Sequence, residues 1–403
     1  GFWSVKGSPS MSDRSMSGVV AAAPRQIIAQ LLVVALLFST LLADMGSQAG
    51  SAKASRVALP DLFVLLLLAI ALLRMVAYRR VGGFAGLSRI LLPVYAIAVV
   101  SLVQIIRTSD ELVPYIVNLY VLLYFLVPAL PVNRTVLARG TYVVIAVFLL
   151  SSLASGLGAD RWSSAGLFTN PNHAGAFTAG AVLVLLFAFD GDRIARIALI
   201  AGCGISMVQT MSFGATLGLA VGITVGLWNR ARSSGQRAGL VLAVIGAGLL
   251  LQAANAVLRA LVPRLGTSAL QRSGDTREQL WSSAWNSFVH HPLGVGLGHL
   301  QTQMGGKEVH NDFLAYAAAF GVIGVVLLVA VFVVLWRMGS SGLRSLVALT
   351  AVLTTTHGAF SWRFLWVFMG IAFCSEAIAA ANRGDPAPNM PRAKPTVALD
   401  GGN

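Results

Sequence analysis

LRALVPRLGTSALQRSGDTREQLWSSAWNSFVHHPLGVGLGHLQTQMGGKEVHN, residues Leu258 to Asn311, is the long polar stretch between strongly apolar ones, and the rest of the chain is read outward from it. It holds His290, His291, His299 and His310, together with Arg259, Arg264, Arg272, Arg277 and Lys307. On both sides lie apolar runs of roughly 17 to 25 residues, each long enough as a helix to cross a hydrocarbon core of about 30 Å. Lipid offers backbone polar groups no partners, so such runs have to be helices packed into a bundle. The sequence therefore predicts an all-α polytopic integral membrane protein whose chemistry in water belongs to this loop.

Composition points the same way. Hydrophobic residues make up 56% of the chain and charged residues 11%, and mean hydropathy is +0.77. Soluble domains are about a quarter charged, so an ordinary soluble fold is excluded. The formal net charge of +14 is carried singly or in pairs at the ends of apolar runs, as the positive flanks of membrane spans are, and argues for no nucleic-acid partner. Cys203 and Cys374 each sit inside an apolar run. Packing as small hydrophobes is their default, and neither a disulfide framework nor a metal site is read from them.

About twelve spans are predicted: Gln26–Ala43, Val57–Tyr78, Ile90–Ile106, Leu112–Val132, Thr141–Ser155, Ala174–Phe189, Ile194–Val208, Gly214–Trp228, Ala238–Val257, Phe313–Trp336, Ser345–Thr356 and Phe364–Ala380. Residues 1–25 read as a disordered or non-native extension, 26–380 as one transmembrane domain that includes the 258–311 loop, and 381–403 as a Pro-rich disordered cytoplasmic tail. With the N-terminus inside, most of the 29 basic residues fall on cytoplasmic flanks. The positive-inside rule then favours an even number of spans, both termini cytoplasmic and the 258–311 loop outside. The first apolar run shows no cleavage pattern and is expected to stay in the membrane as a signal anchor.

Chemistry outside the cytoplasm has no ATP, so a transferase there needs a pre-activated donor carried in the membrane. A lipid diphosphate leaving group calls for fixed positive charge, which the planar fork of Arg supplies best. An acceptor hydroxyl calls for a base titrating near neutrality, which is His. The loop offers Arg259, Arg264, Arg272 and Arg277 for the first role and His310, just before a span, for the second. Arg277, Trp281 and Trp285 stand at i, i+4 and i+8, on one face of a helix that Asp275 or Thr276 could cap. An interfacial anchor meeting ordinary lipid phosphates explains that face as well as a substrate site does. His290 and His291 lead into the Pro292–Gly298 turn, whose glycines permit tight backbone. A second polar island, GLGADRWSSAGLFTNPN over 156–172, holds Arg161 and ends in a turn after which Asn172 can cap a span.

Three motifs in order then resemble the O-antigen ligase and O-antigen polymerase superfamily. They are Gly166-x-Phe168-x-Asn170-Pro171-Asn172-x-x-Gly175; Arg277-x-x-x-Trp281 leading to His291-Pro292-Leu293-Gly294-Val295-Gly296-Leu297-Gly298; and His310-Asn311-x-Phe313-Leu314 before a span. The likeness covers about Gly156 to Trp336. It implies a GT-C-like glycosyltransferase of the bacterial inner membrane with its active loop in the periplasm, needing no cofactor and no metal. Such an enzyme moves a glycan from undecaprenyl diphosphate to a sugar hydroxyl, on lipid A-core in ligases and on a second lipid-linked glycan in polymerases. Carried over to this sequence, Arg277 would hold the diphosphate and His310 would activate or orient the acceptor. Arg161, Arg264, Arg272, Asn172, Trp281 and Asn311 would complete a site for diphosphate or glycan.

One departure stands out. Family members often place an Arg beside a Ser where a mid-chain span begins, whereas this chain has Ser212-Phe213. Arg161 or Arg264 could replace that cation, and an inactive scaffold is the reading in which neither does. With no carboxylate pair evident in the loop, direct attack with inversion is the expected mechanism. A lipid-linked sugar transporter is the alternative of another class. It predicts mid-span charges and broken helices in paired halves, and only Arg74 and Glu376 approach such positions.

Overall fold

The computed structural model describes residues 85–108, 134–156, 168, 170–189, 192–210, 212–240, 242–243 and 267–382. Among them every regular element is helical and there is no strand. In chain order the helices are α1 Ala85–Thr108, α2 Arg134–Gly156, α3 Pro171–Phe187, α4 Arg193–Thr210, α5 Phe213–Arg230, α6 Thr267–His290, α7 Leu297–Gln303, α8 Asp312–Met338, α9 Ser341–Thr356 and α10 Arg363–Asn382. Eight of the predicted spans therefore coincide with helices. Gln26–Ala43, Val57–Tyr78, Leu112–Val132 and most of Ala238–Val257 lie outside the described residues, with the 1–25 extension and nearly all of the 381–403 tail. Leu137–Ser155 and Asp312–Met338 are long and apolar enough to cross a membrane, while Val99–Thr108, Pro171–Phe187 and Arg363–Ser375 are shorter apolar helices.

Local chemistry sets where these helices begin. Asn170, in extended backbone, accepts from the N–H of Asn172 at 2.9 Å, and Pro171 takes the first helical position, where its missing N–H costs nothing. Asn170 is thus the cap of α3, in place of Asn172. Asn311 caps α8 by accepting from Leu314 N at 3.1 Å, and Ser340 caps α9 through Leu343 N at 3.1 Å. The expected cap of the Arg277 helix at Asp275 or Thr276 is not found, because α6 starts eight residues earlier, at Thr267.

Small residues bring α5 and α9 together. Gly214, Gly218, Gly222 and Gly226 recur every fourth position, so they share one face. A Cβ on Gly218 would lie 2.6 Å from Leu349 Cδ1, and one on Gly222 would lie 2.9 Å from the Ser345 carbonyl oxygen. Next to this pair, Phe148, Phe168, Phe177 and Phe364 form a buried aromatic cluster with centroid separations of 4.7 to 5.7 Å. It ties α2, α3 and α10 beneath the polar end of the molecule.

Helix α8 is broken. At 27 residues it would run about 40 Å if straight. Yet α9, only 16 residues long and about 24 Å, returns from its far end to deliver the Phe360 N–H to Asp312 Oδ2 at 2.8 Å. Both conditions hold because the backbone reverses hand at Gly321, with φ 71° and ψ −160°. The peptide groups freed by the break are taken up from the polar loop: Val295 N donates to Ala318 O at 2.8 Å, Gly296 N to Ala319 O at 2.9 Å, and Val322 N to Pro292 O at 3.1 Å. From α1, Gln104 Nε2 adds a bond to Ala319 O at 2.7 Å. Non-helical backbone at membrane depth needs this kind of cover. It also explains the glycines, since a Cβ on Gly294 would lie 2.3 Å from Ala319 O and one on Gly321 2.2 Å from Pro292 O.

Candidate functional site

Four chain segments meet at the end of the bundle where α3, α5, α8 and α10 begin. Segment Glu308–Asp312 brings His310, whose backbone is held at φ 54°, a left-handed conformation uncommon for residues other than glycine. The turn after α9 contributes His357 and Gly358, and a Cβ on Gly358 would sit 3.5 Å from Glu308 Oε2 and 3.8 Å from Asp312 Oδ1. The start of α3 contributes His173, whose ring packs against Trp362 at 4.4 Å between centroids, tilted by 54°. Helix α6 contributes Arg277.

Charge and burial set the state of these groups. The His310 imidazole is held below its ordinary value first by burial. The Glu308 carboxylate opposes that, and Arg277 and His173 push further down. His310 is therefore neutral at pH 7 and able to take a proton. Its Nδ1 lies 4.0 Å from Glu308 Oε2, too far for a hydrogen bond. Burial likewise lowers the Arg277 guanidinium, which stays charged because arginine starts so high. A half-buried cation beside a neutral imidazole can neutralise an anionic leaving group while the imidazole accepts a proton.

Several expected residues have their polar atoms spent on holding this arrangement. Trp281 Nε1 donates to Val309 O at 2.9 Å and its ring packs on the core, so it fastens α6 to the residue before His310. Trp285, expected on the same face, is instead 53% exposed and packs on Phe288, since i+8 has drifted about 80° round the helix. Asn311 gives its oxygen to the α8 cap. Asn172 Oδ1 accepts from Ser212 Oγ at 3.3 Å, so the start of α5 is tied to the start of α3. Phe213, beside Ser212, is 70% exposed and stands clear of the core. Arg272 lies on α6, and its side chain, like all of Arg161, Arg259 and Arg264, lies outside the described residues.

His173, His357 and Trp362 were not singled out from sequence. His173 follows Asn170-Pro171-Asn172 directly, and HGAFSW over 357–362 is a polar, aromatic interruption between apolar runs. Either signal could have found them. Among the described residues no cluster of three or more His, Cys, Asp or Glu side chains could hold a metal ion.

Residues 197–329 match the family model described as O-antigen ligase, about a third of the chain, and the match takes in both Arg277 and His310. No curated protein matches the chain. Members of the matched family are membrane proteins and glycosyltransferase-like enzymes with lipid-linked glycan substrates. Over residues 197–329, then, the chain is similar to the O-antigen ligase family, which agrees with the resemblance carried by its three sequence motifs.

Proposed function

We propose that the protein is a metal-independent, inverting glycosyltransferase of the bacterial inner membrane that moves a glycan from undecaprenyl diphosphate to a sugar hydroxyl, most of all in ligating O-antigen to lipid A-core. What carries this reading is the neutral, half-buried His310 within electrostatic reach of Arg277 inside the matched domain. His310 takes the proton of the acceptor hydroxyl as its oxygen attacks the anomeric carbon. The bond from that carbon to the diphosphate oxygen breaks, and Arg277 neutralises the departing charge. On the resemblance of the motifs, binding of diphosphate or glycan is assigned to Arg161, Arg264, Arg272, Asn172 and Asn311, and Trp281 positions His310 through its bond to Val309 O. About twelve spans in a GT-C-like arrangement, with both termini cytoplasmic, would put this site in the periplasm.

The test is transfer in proteoliposomes from a lipid diphosphate-linked glycan to lipid A-core or to a second donor molecule, comparing wild type with Arg277→Ala and His310→Ala. Product on lipid A-core that is lost in both variants is expected. Lengthened lipid-linked chains would make the enzyme a polymerase of repeat units. Full transfer by either variant would overturn the assignment. A transporter predicts broken helices in pairs, and among the described helices only α8 is broken.

A further inference from the structure

A second cationic cavity lies away from His310, where α1 ends against the turn that follows α6. It is an open cleft of about 550 Å³, lined by Arg107, Thr108, His290, His291, His299 and the Pro292–Val295 turn, with no acidic residue in its wall. We propose that this cavity seats the phosphate of a membrane lipid whose tail lies along α1 and α8.

The wall is built rather than incidental. Arg107 Nη2 donates to the carbonyls of Leu293 and Gly294, so the guanidinium is fixed to the turn that seals the break in α8. Its Nε and Nη1 make no hydrogen bond among the described residues and remain as donors. At 2.8 Å from Asn286 O, His290 Nδ1 must carry the hydrogen, because a carbonyl only accepts. Its Nε2 is then the site that a proton shared with a phosphate would occupy. Thr108 adds a hydroxyl.

Below the cavity the surface changes character. On α1, Leu102, Val103 and Ile106 are 55 to 73% exposed, and on α8, Val322, Ile323 and Val326 are 51 to 59% exposed. These two helices pack together, so they present a cationic head region above paired apolar ridges, which fits an anionic headgroup with an acyl or isoprenyl tail. Arg277 stands thirteen residues before His290 on α6, roughly 20 Å along its axis. A lipid seated here would therefore not contest the Arg277–His310 site. Its purpose rests on the function proposed above, because joining two lipid-borne substrates requires a second headgroup anchor. Its existence does not.

The experiment is native mass spectrometry of the delipidated full-length protein titrated with phosphatidylglycerol, polyprenyl phosphate, inorganic phosphate and diacylglycerol. It compares wild type, Arg107→Gln, His290→Ala/His299→Ala and Arg277→Ala. Because Arg107 also holds the turn, the double histidine variant is the decisive one. Expected is one tight phosphate-lipid adduct that weakens on the order of tenfold in the histidine and Arg107 variants, for loss of charge-assisted bonds, and is unchanged in Arg277→Ala. Selective binding of polyprenyl phosphate would assign the seat to substrate lipids and equal binding of phosphatidylglycerol to bulk anionic lipid, while competition by inorganic phosphate would mean that the headgroup alone is recognised. Equal binding of diacylglycerol, or phosphate-lipid adducts unaffected by the histidine pair, would overturn the proposal even if transfer activity were intact.

Discussion

The indole N–H of Trp281 donates to the carbonyl of Val309 at 2.9 Å, so the helix that carries Arg277 is fastened to the residue next to His310. Trp281→Phe keeps most of the ring and deletes the bond. A net hydrogen bond is worth about 0.5–1.5 kcal/mol, so transfer should fall roughly two- to tenfold while the protein stays folded. Transfer equal to wild type at matched expression would show that the tie does not position the site.

The pH profile should report His310. A base whose conjugate acid is held below the usual histidine range is fully competent at pH 7 and loses activity only as pH falls through its lowered value. Glu308 raises that value, so Glu308→Gln should move the acidic limb to still lower pH. Arg277 depresses it, so any residual activity of Arg277→Gln should show the limb moved upward. If neither limb moved, a group other than His310 would be titrating.

Two glycines at positive φ separate backbone strain from steric exclusion. Gly305, at φ +61°, has open space where a Cβ would go, so Gly305→Ala should cost only about 1–2 kcal/mol for the left-handed backbone. At Gly321 a Cβ would meet Pro292 O at 2.2 Å, so Gly321→Ala should cost clearly more, over about 3 kcal/mol with strain and clash together. Melting temperatures in detergent decide this, and equal shifts would remove the claim that α8 is locked by the loop.

In the bundle, Gly222→Ala places a methyl 2.9 Å from the Ser345 backbone oxygen and should destabilise by about 1–3 kcal/mol through overpacking. Gly235→Ala, which meets nothing within 4 Å, serves as the control. A melting point unchanged by Gly222→Ala would mean that α5 and α9 can part without cost.

Much of the helical layout was legible because apolar runs in a membrane protein have few alternatives to the helix. Arg277 and His310 could be singled out because the loop concentrates arginine and histidine, and the structure brings the two within electrostatic reach of each other. The break at Gly321 was not, since the run from Phe313 to Trp336 is apolar throughout and the partners of its freed carbonyls come from Val295, Gly296 and Gln104, far away in sequence. The α3 cap was misplaced by two residues because both Asn170 and Asn172 are good caps, and only Pro171 at the first helical position separates them. His173 was missed because its neighbourhood is made by Trp362, almost two hundred residues later.

The broken helix also bears on how the chain can be assembled. Val322–Met338 and α9 can enter a bilayer as a hairpin, but the open peptide groups on either side of Gly321 are costly in lipid until something covers them. Their partners, Gln104 and Pro292 to Gly296, are synthesised before α8 emerges. The seal is thus ready when the helix arrives, and a chain truncated after Met338 holds every residue needed to close it, whereas one that lacks residues 291–296 would insert a helix with an open seam.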